Sequence, residues 1–479
     1  MSSAIRPSVS QVLREIAETA PGVPLLALGQ TVFWDEPVKA LILRAAEELG
    51  LSIRLVAGVH DTDYFAKLPG GVTAEKPFVA LPRNDGSTRD FWSAAGEFSA
   101  LFGSETPITR ERLLQAGINL ERLTRGNASL LDQATEAWGW RGIASTDARP
   151  VTTADIPTSQ VFSCLQSTFE WALDLTVERL CLPEQREMAV KVKNELMGML
   201  CAHLEHCRGK DLASYYQCLL PELQQTATGR STTEITRTSE LLRFNQETCR
   251  LPRFAILDLF LRPETRDLAK RAYDEAVAGT HTYTLEKFGT GAIPFDLVIP
   301  GEGRGTIRLT PKMLVVMTPK PVFVPLEKPI ESVEGLALVC EERFPGCAVV
   351  GKAITLISML AKEFFFLFHE DASMYVASTR VMHERLAAAG IEHRVHPILR
   401  VRLETWDALE GTDLWFDLPE PLRLPFGADH IPAETLARTW RTVQEEQRKN
   451  LELLGDAHST SDAIRVLKRI SRWQMGRSG

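Results

Sequence analysis

His60-Asp61-Thr62-Asp63 sets an imidazole, which exchanges protons near neutral pH, among carboxylates that can orient it or hold a cation. The expected roles are His60 as proton shuttle, with Asp61 or Asp63 orienting it or binding Mg²⁺. A plain turn, in which the aspartates only accept backbone N–H groups, competes with that reading. Ahead of the cluster, the turn after Gly29 brings Gln30, Asp35, Glu36 and Lys39. Beyond it, Arg83-Asn84-Asp85-Gly86-Ser87-Thr88-Arg89 supplies donors suited to phosphate or carboxylate. That loop runs into a helix starting near Phe91 and carrying Glu97, whose first N–H groups would add to an anion site. The candidate substrate-binding residues are therefore Gln30, Lys39, Asn84, Asp85, Arg89 and Glu97, with Lys39 and Arg89 neutralising the anion.

Other clusters are weaker. Gly351-Lys352 opens a helix after a strand and suits phosphate, but it lacks the P-loop spacing, and a plain strand-to-helix turn is favoured. In Cys201-Ala202-His203-Leu204-Glu205-His206-Cys207, His203 and Cys207 are one helical turn apart and could share a metal. No second ligand pair follows, so buried thiols and surface histidines are favoured, and no metal site is assigned. His369-Glu370-Asp371 is either a distal acid–base set or a helix terminus. GxSxG, HExxH and a helix-opening GxGxxG are all missing from the sequence.

These residues need elements to hold them. Leu25 to Leu28 is an apolar run closed by Gly29. Val38, Leu41, Ile42, Ala45, Ala46 and Leu49 repeat at helical spacing, and Ile53 to Val59 is a second apolar run. That is a β-α-β unit whose strands end on one edge of a parallel sheet, where ligands bind in open α/β sheets. Pro77 to Pro82 predicts a third strand, emptying into the Arg83–Asp90 loop beside the other two ends. Residues 158–279 read as helices, with Thr226 to Thr236 as a mobile link. Residues 281–409 return to strands, with a hairpin across Pro300-Gly301-Glu302-Gly303 and an apolar helix from Ile354 to Phe368. Helices Ala433 to Leu454 and Asp462 to Trp473 close the chain, Ser461 capping the last. The expected fold is α/β: a Rossmann-like parallel sheet core with a large helical insertion and a helical C-terminal tail. The segments are 1–150, 158–279, 281–409 and 410–479.

With 479 residues, the chain has room for two or three domains. A net charge of −8 argues against nucleic-acid binding, which needs a basic face. No apolar run is long enough to span a bilayer, and the first residues lack a signal-peptide core. Eight scattered cysteines without a CxxC pair suit free thiols in a reducing compartment, so a cytoplasmic protein without membrane partners is expected. The helical block is the expected homodimer surface.

Gly29-Gln30 after the first strand and His60-Asp61-Thr62-Asp63 after the second resemble motifs of the cysteine-adding enzyme family of bacillithiol synthesis. The resemblance covers only the N-terminal part, and the turn continues differently here. It implies a Rossmann-like core, inserted segments, a coiled-coil arm and kinship with nucleotide-binding ligases. Two functions fit these features. One is a ligase- or transferase-like enzyme binding a phosphorylated or nucleotide-like small molecule, such as ATP or ADP with Mg²⁺. The other is a non-catalytic ligand-binding or scaffold protein whose helical block docks a partner.

Overall fold

The computed structural model describes residues 8–29, 36–65, 76–80, 143–147, 149–231, 234–280, 282–369, 374–401, 407, 409–418, 420–456 and scattered positions from 459 to 468. The chain divides into two compact units. The first comprises Met1–Phe65, Arg149–Thr158 and Cys207–Arg402; the second comprises Ala66–Ala148, Ser159–His206 and Leu403–Gly479.

The first unit holds a five-stranded parallel sheet. With strands numbered along the chain, its members are β1 (Leu25–Gly29), β2 (Leu55–Val59), β5 (Glu234–Arg237), β11 (Phe365–His369) and β12 (Leu399–Val401). Their order is β12-β11-β1-β2-β5, and every neighbouring pair is parallel. All five C-terminal ends thus share one edge. β2 is buried along its whole length and β1 nearly so, as strands covered on both faces require. Helix Glu36–Glu48 joins them, and Gly50, at φ +69°, makes the left-handed turn that follows it. The expected β-α-β unit is present. The opening helix Val9–Thr19 is held by a capping box between Ser8 and Gln11.

β11 departs from expectation. The helix predicted over Ile354 to Phe368 stops at Leu360, and Phe365–His369 is a strand beside β1, pairing Leu25 with Phe365. A continuous apolar run has no period to distinguish helix from strand; successive phenylalanines favour the extended form. The correction matters for topology. The chain runs outward from β1 to β2 and β5 on one side, and from β11 to β12 on the other.

The same unit holds an antiparallel sheet of β6 (Ala292–Ile299), β7 (Gly303–Thr310), β8 (Met313–Met317), β9 (Val322–Pro325) and β10 (Ala348–Gly351), ordered β10-β6-β7-β8-β9. The predicted hairpin links β6 to β7, with Gly301 at φ +78° and Gly303 at φ +93°. One core unites both sheets: Leu26 and Val56 cluster with Phe295, Leu297, Ile307 and Leu314.

The second unit contains β3 (Phe78–Ala80) paired with β4 (Ile143–Ser145), and β13 (Trp415–Asp417) paired with β14 (His430–Pro432). Helices Thr158–Glu178, Pro183–His206 and Ala433–Gly455 contribute most of their length to it. Its core includes Leu180, Phe416, Leu422, Ile431 and Trp440. β3 was expected to end beside β1 and β2, yet it pairs antiparallel with β4 instead. Residues 158–279 are shared between the units, and the stretch read as a mobile link holds the end of helix Leu212–Thr228 and most of β5. At the tail, Ser459 rather than Ser461 caps, its hydroxyl accepting from the Asp462 N–H at 3.1 Å. Among the described residues, no helix is long and apolar enough to cross a membrane.

Candidate functional site

The parallel sheet delivers His60 to its C-terminal edge. The His60 N–H donates to the Gly29 carbonyl at 2.7 Å, tying the ends of β1 and β2 together. His60 Nδ1 lies 2.8 Å from Thr238 Oγ1, just past the end of β5. The Thr238 hydroxyl donates to the Val59 carbonyl at 3.4 Å, so it accepts from Nδ1–H. With Nδ1 held in this way, proton exchange by the ring falls to Nε2.

Asp61 turns to other work. It is fully buried, and its carboxylate accepts from both the N–H (2.9 Å) and the hydroxyl of Ser239. Its carbonyl accepts from the Ala154 N–H at 3.0 Å. Burial pushes its carboxyl pKa up, against the pull of the Ser239 hydrogen bonds and of Arg237. Thr238, rather than Asp61, therefore fixes Nδ1 of His60. Asp63 accepts from the Tyr64 N–H at 2.9 Å and stands 3.9 Å from Arg304.

Arg304 belongs to a group that the sequence reading did not assemble. Its Nε donates to Asp296 Oδ2 at 2.7 Å and its Nη1 to the Thr62 carbonyl at 2.9 Å. Lys352 Nζ donates to the other Asp296 oxygen and lies 4.3 Å from the centre of the Phe288 ring. The Arg304 guanidinium also covers the Tyr64 ring at 5.2 Å. Burial pushes the Asp296 carboxyl up, but the Arg304 and Lys352 charges outweigh it and hold the pKa below the ordinary value. Burial, with Asp296 and Asp63 nearby, raises the Tyr64 phenol to about 12 against the Arg304 charge. This ion group pins the loop after β2 to the antiparallel sheet. A signal for it was present in the sequence: Asp296 interrupts an otherwise apolar strand, and a buried charge demands partners. Gly351-Lys352 is the strand-to-helix turn that was favoured over a phosphate site, and Lys352 pairs with that carboxylate.

A second network secures β5. Arg237 Nη1 lies 3.1 Å from Asp211, its Nη2 donates to Ser214 Oγ at 2.6 Å and its Nε to Gln217 at 2.8 Å. Asp211 caps helix Leu212–Thr228 through the Ser214 N–H at 2.8 Å.

Lys39 lies on helix Glu36–Glu48 and is buried. Gln30, Asn84, Asp85, Arg89 and Glu97 lie outside the described residues. The backbone of His369 ends β11 beside the edge; Glu370 and Asp371 also fall outside. Burial and the neighbouring Cys218 thiol raise Cys207 to about 11. Among the described residues, no three His, Cys, Asp or Glu side chains converge in a metal-binding group. The second unit has a recess of about 430 Å³ lined by Val177, Glu178, Arg179, Arg186 and Asp417. Asp417 there is engaged by Arg423 at 3.2 Å, and Arg186 by the Leu180 carbonyl. No protein-family model matches the chain, and no curated protein matches it.

Proposed function

We propose that the first unit is a Rossmann-like, ligase- or transferase-like catalytic unit acting in the cytoplasm. It would bind a phosphorylated or nucleotide-like small molecule at the C-terminal edge of the parallel sheet. The observation that carries this reading is the strand order β12-β11-β1-β2-β5, in which the chain winds away in both directions from the β1/β11 pair. Open α/β sheets bind ligands in the crevice beyond such a reversal. His60, one strand from that point with Nδ1 fixed by Thr238, is the proposed proton shuttle. ATP or ADP with Mg²⁺ is the ligand class in view, and the N-terminal resemblance to the bacillithiol-synthesis ligases agrees with it.

The test is a thermal-shift series with ATP, ADP and sugar nucleotides, each with and without Mg²⁺. A ligand that binds only the folded form raises the melting point by mass action. A rise for one of these, with His60→Ala still binding but chemically silent, is expected. No response across the series counts against the proposal. The scaffold alternative draws on helix Pro183–His206, where Met188, Val190 and Val192 are exposed by 60%, 43% and 47%. It predicts no nucleotide response and a stable complex through that helix.

A further inference from the structure

We propose that Arg308, on β7, is the anchor of a second anion site, distinct from the parallel-sheet edge and taking an oxyanion, phosphate or carboxylate, at its Nη1–Nη2 edge. Three observations combine.

The guanidinium has a built seat. A Cβ at Gly289 would lie 2.9 Å from Arg308 Cζ, 3.0 Å from Nη2 and 3.1 Å from Nη1, so the flat group rests on a bare backbone. Gly289 also has φ +88°, where a side chain is strained. Gly291, at φ +78°, lies so close to the Leu309 backbone that a Cβ there would overlap it, and its carbonyl accepts from the Leu309 N–H at 2.8 Å. Two glycines thus let one loop press on β7 where Arg308 stands.

Among the described residues, the charge is unanswered. Arg308 is half-buried, its Nε is closed off from solvent, and that Nε has no acceptor among the described residues. Three other arginines of the same unit have carboxylate partners: Arg304 with Asp296 at 2.7 Å, Arg253 with Glu363 at 2.6 Å, and Arg237 with Asp211 at 3.1 Å. A part-buried guanidinium without a counter-ion is costly, and a ligand oxyanion supplies the missing charge. With Nε sealed, the ligand must come to the Nη1–Nη2 edge.

The surroundings are amphipathic. Across the sheet, Arg308 pairs with Val315, and Val315 with Phe323, which is 64% exposed. On the loop side, the Phe288 ring meets Tyr283 edge-on at 6.2 Å, and Tyr283 is 59% exposed. An anion carrying an apolar or planar group fits this face better than a bare ion.

The test titrates the full chain with phosphate, with acetate and with phenyl phosphate at constant ionic strength, using chloride as control and reading affinity by calorimetry. Saturable binding of phosphate or acetate is expected, the stronger of the two identifying the headgroup, with phenyl phosphate tighter than phosphate if phosphate is preferred. Arg308→Met should weaken binding at least tenfold while leaving the ligand-free melting point equal to or above wild type, since it removes an unpaired charge. Gly289→Ala, which keeps the charge but displaces the guanidinium, should weaken binding too. Arg308→Met should leave the nucleotide-dependent rise in melting point unchanged, separating this binding from the parallel-sheet edge. Equal affinities in wild type and Arg308→Met, or no saturable binding by wild type, would overturn the proposal.

Discussion

At the scale of single residues, Asp296 answers two cations at once. Its carboxylate answers Arg304 and Lys352, and its side chain is almost wholly shielded from water. Asp296→Asn would leave two part-buried cations without a full counter-charge, and breaking a buried pair in this way costs about 3–5 kcal/mol. Urea unfolding of the variant should show a loss of that size; a loss below about 1 kcal/mol would mean that the ion group is not a structural clamp. A second residue-scale prediction concerns acid. His393 is held down to about 4 by burial, with the His383 imidazole and Lys362 adding to the effect. Its Nε2 is buried without an acceptor among the described residues, and the two rings stand 5.4 Å apart. The unfolded chain takes up this proton near pH 6.5 and the folded chain only near 4. Stability is therefore full above about 6.5 and falls as pH drops towards 4, by up to about 3 kcal/mol. His393→Phe should flatten that slope in denaturation midpoints measured between pH 4 and 7. An unchanged slope would assign acid sensitivity to other groups. His60 was legible as a chemical group but its partner was not, because Thr238 is 178 positions away and only the β2/β5 pairing brings them together.

At the scale of elements, the junction between β10 and helix Ile354–Leu360 shows strain. Ala353 sits at φ 35°, ψ −93°, a region that a residue with a Cβ adopts only at a cost of about 1–3 kcal/mol. Ala353→Gly relieves the steric part and loses some through chain entropy, so a net gain of about 1 kcal/mol is expected in chemical denaturation. A loss would mean that the turn is set by contacts of the Ala353 methyl. Gly351 just before it has no such latitude, since a Cβ there would overlap the backbone of Thr355 and Leu356. The opening helix and helix Glu36–Glu48 were legible from their period, and β1, β2 and the β6/β7 hairpin from short apolar runs bounded by turn residues. β11 was not, because no Gly, Pro, Asn or Asp separates its apolar run from that of helix Ile354–Leu360. β3 was found as a strand but given the wrong neighbours, since a three-residue strand carries no signal for its partner.

At the scale of the whole molecule, the chain passes repeatedly between two units, so each unit is assembled from distant stretches of sequence. Composition and length indicated several domains but could not indicate that residues 207–402 would rejoin the first unit. The candidate edge shows the same limit. Its central pair joins β1 to β11, 340 positions apart at the Leu25–Phe365 register (365 minus 25), and no local pattern reveals that pairing. Ligand binding at this edge is read by amide hydrogen exchange with and without a nucleotide panel. A bound phosphorylated ligand should slow exchange at the C-terminal ends of β1, β2 and β11, around Gly29, His60 and His369. Protection confined to the second unit, or no protection with any member of the panel, would contradict it.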